Sequence, residues 1–126
     1  MPKPENNTGI TRVIRAAGYS SKGLAAAFRY ESAFRQELAM GVILVPAAIL
    51  LAESWLQLAI LVITMVLVLI TEIINSAIEA VVDRIGEEHN ELSGRAKDMA
   101  SAGVAFAIVL VPVIFAMVAL DRFVGY

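Results

Sequence analysis

Glu72, Glu79 and Asp83 fall on one stripe if residues 72–83, Glu-Ile-Ile-Asn-Ser-Ala-Ile-Glu-Ala-Val-Val-Asp, are helical. At 100° per residue, Glu79 lies about 20° from Glu72 and Asp83 about 20° to the other side. Ser76 and Asn75 flank them at roughly 40° and 60°. Such a face, with carboxylates beside an amide and a hydroxyl, can serve a general base, a metal ion or both. The stripe follows a charge-free run, residues 54–71, that reads as a membrane helix. An acid at a bilayer centre costs on the order of 2.5–3.5 kcal/mol, so an intramembrane acid points to function. A plainer account is a helix emerging into water, and Asp83 fits it. Glu72 fits it poorly, because Ile73, Ile74, Ile78, Val81 and Val82 keep the other faces apolar.

The rest of the chain must supply the elements that hold this stripe. Its 126 residues are 59% hydrophobic, with a mean hydropathy of +0.75. That is far from a soluble average and implies an all-α membrane protein with one domain, 1–126. The absence of cysteine excludes disulfides, thiolate metal sites and cysteine nucleophiles. The net charge of −2 says little by itself, and no nucleic-acid partner is expected.

Charge-free runs cover residues 38–52, 54–71 and 99–120. A helix needs about 20 residues to cross the hydrocarbon. The third run suffices alone. The second suffices when extended to about residue 76, which places Glu72 and Asn75 just inside one interface. The first, at about 22 Å, must recruit neighbours such as Glu37 or Glu53 near the headgroups. Membrane helices are therefore expected at about 38–53, 55–82 and 99–121. Pro46 and Pro112 sit inside spans one and three, where membrane helices tolerate them. Glu53-Ser54-Trp55 forms a tight hairpin, with Trp55 suited to the interface.

Basic residues cluster in two places. Lys3, Arg12, Arg15, Lys22, Arg29 and Arg35 precede span one, and Arg84, Arg95 and Lys97 lie between spans two and three. The positive-inside rule puts the N-terminus and an 83–98 loop in the cytoplasm and the C-terminus outside. No signal peptide is expected, because the first 37 residues are too polar and too long for its basic leader. The sequon Asn6-Asn7-Thr8 is a chance match on a cytoplasmic segment.

Residues 1–37 are expected to form basic amphipathic helices on the membrane surface. Ile10, Val13, Ile14 and Ala17 make one apolar face, with Arg12 and Arg15 opposite. Gly18-Tyr-Ser-Ser is expected to break this helix, with Ser20 or Ser21 capping a second. In that second helix Leu24, Phe28 and Leu38 share a face, and Glu31 falls within about 60° of them. Either Glu31 pairs with Arg35, four residues on, or it turns inward to meet the acids of span two.

Acids at a cytoplasmic membrane edge, with Lys and Arg close by, suggest metal-assisted chemistry on an anionic donor. Two carboxylates and a phosphate chain suit Mg²⁺. The known nucleotide motifs are absent. Gly18-x₄-Gly23 has P-loop spacing, but Leu24 and Ala25 stand where Lys and Ser/Thr are required. There is no kinase glycine-rich loop and no HRD or DFG. His89 is the sole histidine, and a lone loop histidine earns no catalytic role on its own.

Glu72-Ile-Ile-Asn75-Ser76-Ala-Ile-Glu79-Ala-Val-Val-Asp83-Arg-Ile-Gly86, followed by Leu92-Ser-Gly-Arg95-Ala-Lys97-Asp98-Met-Ala-Ser101, resembles the signature of the bacterial integral-membrane diacylglycerol kinases. The likeness begins near Thr11-Arg12, continues through Ala16-Ala-Gly-Tyr19-Ser20-Ser-Lys-Gly-Leu, and includes Glu31-Ser-Ala-Phe-Arg35-Gln-Glu37. The resemblance implies surface helix plus three membrane helices per chain, a homotrimer with sites near subunit interfaces, and a place in the bacterial inner membrane. It implies transfer of the γ-phosphoryl of Mg-ATP to the primary hydroxyl of diacylglycerol, giving phosphatidic acid. Glu72 would be the base that accepts the hydroxyl proton, and Glu31 and Glu79 would hold Mg²⁺. Arg12, Tyr19, Lys97 and Asp98 would bind or orient ATP, with Glu88, His89 and Asn90 nearby. Arg12, Ser20, Ala33, Arg35, Glu37, Asn75 and Ser101 would line the substrate beside Glu72.

Two other readings share parts of this pattern. A polyprenol kinase such as undecaprenol kinase would use the same machinery on a different alcohol. A small multidrug-type transporter or a non-enzymatic membrane subunit could also carry an intramembrane Glu. Such transporters typically have four helices and place the acid nearer the midplane, whereas the acids here sit at an edge beside a basic apron.

Overall fold

The computed structural model describes residues 1–2 and 8–125, and all the regular structure among them is helical. Lys3 and the Asn6-Asn7 part of the sequon lie outside the described residues.

The first helix, α1 (Gly9–Tyr30), is continuous. The expected break at Gly18–Ser21 is absent. Ile10, Val13, Ile14, Ala17, Leu24 and Phe28 fall within about 100° of one another, so one apolar face runs across Gly18. An interior glycine costs only about 1 kcal/mol, which such a stripe outweighs once it meets lipid or a neighbouring helix.

The chain breaks instead at Glu31, in extended conformation (φ −111°, ψ 106°). Glu31 ends α1 and caps α2 (Ser32–Leu51). Arg35 serves this corner. Its Nη1 donates to Phe28 O at 2.7 Å and Arg29 O at 3.1 Å, satisfying carbonyls that the end of α1 leaves open. The alternative in which Arg35 pairs with Glu31 along one helix is thereby replaced. α2 has 20 residues and reaches about 30 Å by including charged Arg35 and Glu37 in its first two turns.

Ser54 starts α3 (Trp55–Ile85), its Oγ accepting from Gln57 N–H at 3.1 Å. At 31 residues, α3 spans about 46 Å, more than the roughly 30 Å hydrocarbon requires. The expected 83–98 loop shrinks to residues 86–90. Asn90 Oδ1 accepts from the N–H groups of Leu92 and Ser93, at 3.0 and 3.1 Å. With Glu91 in the first turn, this cap begins α4 (Glu91–Phe123) well ahead of the apolar run. Arg95, Lys97 and Asp98 therefore stand on a helix.

α2, α3 and α4 are each long and apolar enough to cross a membrane, and most of each is left uncovered by the chain itself. α3 and α4 pack along much of their length, α2 lies chiefly on α3, and α1 on α2. The core is small: Ala48, Leu61 and Val118, with Leu58, Met65 and Phe115 against them. Thr64 and Thr71 satisfy their hydroxyls on the carbonyls of Leu61 and Val68, at 2.7 and 2.9 Å.

Candidate active site

Glu72 is buried although it is a carboxylate on a membrane-length helix, with only 6% of its surface exposed. Asn75, at 9%, is buried beside it. The stripe read from the 3.6-residue period turns into the bundle. Asn75 Nδ2 donates to Glu79 Oε1 at 3.5 Å. Glu31 and Glu79 both lie within electrostatic reach of Glu72, and Glu72 within reach of Glu37. The turn between α1 and α2 thus brings Glu31 itself to the acids of α3.

Beyond Glu72 runs a groove of about 560 Å³ among α2, α3 and α4. Glu37 and Glu72 line its polar part, and Met40, Leu44, Met65, Val68 and Ile108 line the remainder. Glu37 Oε2, Asn75 Oδ1 and Ser76 Oγ are buried without a hydrogen-bond partner among the described residues. Unmet buried polar atoms cost about 1–3 kcal/mol each, and of these residues Glu37 lines the groove, where a ligand would satisfy it. A hydroxyl-bearing, mostly apolar molecule matches this lining.

Toward the end of α3, Lys97 Nζ donates to Asp83 Oδ1 at 2.7 Å. Lys97 also lies within electrostatic reach of Glu79. A cation therefore stands on the water-facing side of the same carboxylates. Asp83, its side chain 67% exposed, is the acid that emerges toward water, and it carries the ion pair with Lys97. Glu31 and Glu79 are the carboxylates that could hold a metal ion together with a ligand's oxygens. No group of at least three acids or histidines forms an all-protein metal cage among the described residues.

One chain gathers Glu31, Ala33, Glu37, Glu72, Asn75, Glu79 and Lys97 around this region. It does not gather all the residues singled out by sequence. Arg12, Tyr19 and Ser20 are exposed on α1, about 28, 18 and 16 Å along the chain from Glu31. Asp98 and Ser101 are exposed on α4, and Glu88 and His89 in the link before it. Asn90 and Arg35 are engaged as helix caps. Met40 and Gly41 line the groove and were not singled out by sequence; apolar and small residues in a membrane helix carry no signal that separates a groove from a lipid-facing surface.

The family model of the prokaryotic diacylglycerol kinases matches residues 18–119. A diacylglycerol kinase of Escherichia coli is 55% identical over 105 residues, covering 83% of this chain and 86% of the relative. One from Haemophilus influenzae is 44% identical over 108 residues, 86% and 92% of the two chains. One from Pseudomonas aeruginosa is 44% identical over 120 residues, 94% and 98%. These matches, with membrane-length helices around a buried acid, define an integral-membrane lipid kinase. The chain belongs to the prokaryotic diacylglycerol kinase family.

Proposed function

We propose that this protein is an ATP-dependent lipid kinase that phosphorylates the primary hydroxyl of 1,2-diacylglycerol and yields phosphatidic acid. The observation that carries the reading is Glu72, buried at the polar end of an apolar groove between membrane-length helices. The relatives' names favour diacylglycerol over a polyprenol and over transport. The acyl chains lie along Met40, Leu44, Met65 and Ile108, and the glycerol hydroxyl meets Glu72. The Glu72 carboxylate accepts the hydroxyl proton as the lipid oxygen bonds to the γ-phosphorus and the bond to ADP breaks. Phosphoryl transfer asks mainly for alignment and charge neutralisation, and Lys97 supplies a positive charge on the donor's side.

Magnesium fits the donor set. Mg²⁺ keeps several waters and takes one or two carboxylates besides phosphates, and Glu31 and Glu79 are like charges gathered about Glu72. These two residues would hold the ion, which when bound neutralises phosphate oxygens. ATP arrives from water, oriented by Lys97 and by Arg12, Tyr19 and Asp98.

Arg12, Tyr19, Ser20, Asp98 and Ser101 stand away from Glu72 or outward in one chain. A homotrimer with sites near the subunit interfaces would let a neighbour supply them. The protein sits in the bacterial inner membrane, N-terminus in the cytoplasm and C-terminus outside, in accord with the basic residues of α1 and the α3–α4 link.

The test is Mg-ATP turnover by purified protein in mixed micelles, with short-chain diacylglycerol, with undecaprenol and with neither. Phosphatidic acid should form with a kcat/KM at least about tenfold above that for undecaprenol. A reversed ratio assigns the polyprenol, and no lipid-dependent turnover removes the kinase reading.

A further inference from the structure

At the end of the bundle away from Glu72, Arg122 on α4 is tied to α2. Its Nη1 donates to Leu50 O and, at 3.0 Å, to Leu51 O. These are carbonyls that the C-terminus of α2 leaves open. Its Nε stands 4.0 Å from Glu53 Oε1. One residue earlier, Asp121 Oδ2 accepts from Gln57 Nε2 at 2.7 Å. Gln57 Oε1 in turn accepts from the Glu53 N–H at 2.8 Å. The end of α4 thus grips both sides of the α2–α3 hairpin, although α2 otherwise touches α4 sparsely.

The grip bears on the groove. Met65 lines the groove and also packs on the Ala48–Leu61–Val118 cluster, so the groove ends there. Met65 lies about 10 Å along α3 from Glu72. An extended chain advances about 1.25 Å per bond at ordinary bond lengths and angles, so that distance holds about eight bonds, roughly four from the glycerol hydroxyl to the acyl carbonyl carbon and roughly four more to acyl carbon 5. Met40, Gly41 and Leu44 form the α2 wall. One turn beyond Leu44 is Ala48, fully buried in the cluster, and one turn further the Arg122 link begins.

We propose that Arg122 is a positioning residue for lipid specificity: by pinning the C-terminal end of α2 it keeps the α2 wall rigid, and the rigid groove restricts the shape of the first five or so carbons of one acyl chain. The inference rests on the reading of the groove as the diacylglycerol acyl site. A lipid moving from bilayer to an apolar groove exchanges one apolar surround for another, so transfer energy does not select it. Shape does, because a packed wall resists an added methyl group. Beyond the cluster the chain leaves sideways into lipid, where a branch meets no wall.

The test uses diacylglycerols with a methyl branch at acyl carbon 5 or at carbon 13, beside the straight-chain lipid, in the same micelles. For the unaltered protein, KM for the carbon-5 lipid should rise about tenfold, and that for the carbon-13 lipid should stay within about twofold of the straight chain. Arg122→Ala should reduce the carbon-5 penalty to about twofold, with kcat on straight lipid and KM for ATP nearly unchanged. Arg122→Lys, which can still donate to the α2 carbonyls, should retain the penalty. Uniform loss of kcat and ATP affinity in Arg122→Ala would make the link merely structural and overturn the proposal. Equal tolerance of both branches by the unaltered protein would also overturn it, the result expected if a helix of a second copy fills the groove. Absence of any turnover of straight diacylglycerol would instead sink the kinase reading, and the proposal with it.

Discussion

Lys97 Nζ meets Asp83 Oδ1 at 2.7 Å, joining the last turns of α3 to the second turn of α4 across the short link at Gly86–Asn90. Both side chains are substantially exposed, at 41% and 67%, so the pair contributes little to stability. Its consequence is placement: it holds an ammonium near Glu79, where donor phosphates would lie. Lys97→Met should raise KM for ATP about tenfold or more and leave the melting temperature nearly unchanged. Asp83→Asn should also leave the melting temperature nearly unchanged, with a smaller rise in KM. Kinetics and thermal unfolding of both variants check this, and an unchanged KM in Lys97→Met would remove Lys97 from the donor site.

Glu31→Gln and Glu79→Gln should act on the metal and nucleotide. Each removes one carboxylate of a pair, so the Mg²⁺ concentration for half-maximal activity should rise about tenfold. Titration of activity with Mg²⁺ at fixed ATP measures it. An unchanged Mg²⁺ dependence in Glu31→Gln would mean that the turn at Glu31 serves only the fold.

The acids on α3 are legible in sequence because one helical period governs them. Glu72, Asn75 and Glu79 share a face wherever the helix runs, and the apolar run before them makes the helix plain. Glu31 is legible as an acid among apolar positions, whereas Glu37 reads only as a residue at headgroup level and enters the site through the family resemblance. The break at Glu31 is not legible, because no glycine or proline marks it and Arg35 stabilises it through carbonyls of the preceding helix. The start of α4 at Glu91 is hidden by charged residues that read as a loop, although Asn90 is a cap by type. The link from Arg122 to Leu51 joins residues 71 apart, which no local spacing encodes.

Topology can be read with single cysteines, since the chain has none of its own. Cysteine at Ser54 or Gly125 should react with an impermeant maleimide in intact cells. Cysteine at Glu87, exposed in the α3–α4 link, should react only after the cells are opened. Labelling of Glu87→Cys from outside would invert the orientation and separate ATP from the site.

Shared sites can be read by complementation. If a neighbouring subunit completes the constellation around Glu72 with Asp98, inactive Glu72→Gln and impaired Asp98→Asn proteins mixed and reassembled should regain a measurable fraction of activity. Mixtures that stay inactive after verified subunit exchange would place both residues in one chain's site. A fully active monomer in detergent would remove the need for assembly.

The central claim is that Glu72, buried at the head of the lipid groove, takes the proton from the acceptor hydroxyl. The direct measurement is the rate of phosphatidic acid formation by Glu72→Gln at saturating diacylglycerol and Mg-ATP, beside its equilibrium affinity for ATP. Glutamine keeps the size and loses the basic oxygen, so kcat should fall by about 10²-fold or more while ATP binding stays within about threefold. Near-normal turnover in Glu72→Gln, with ATP bound as before, would contradict the assignment.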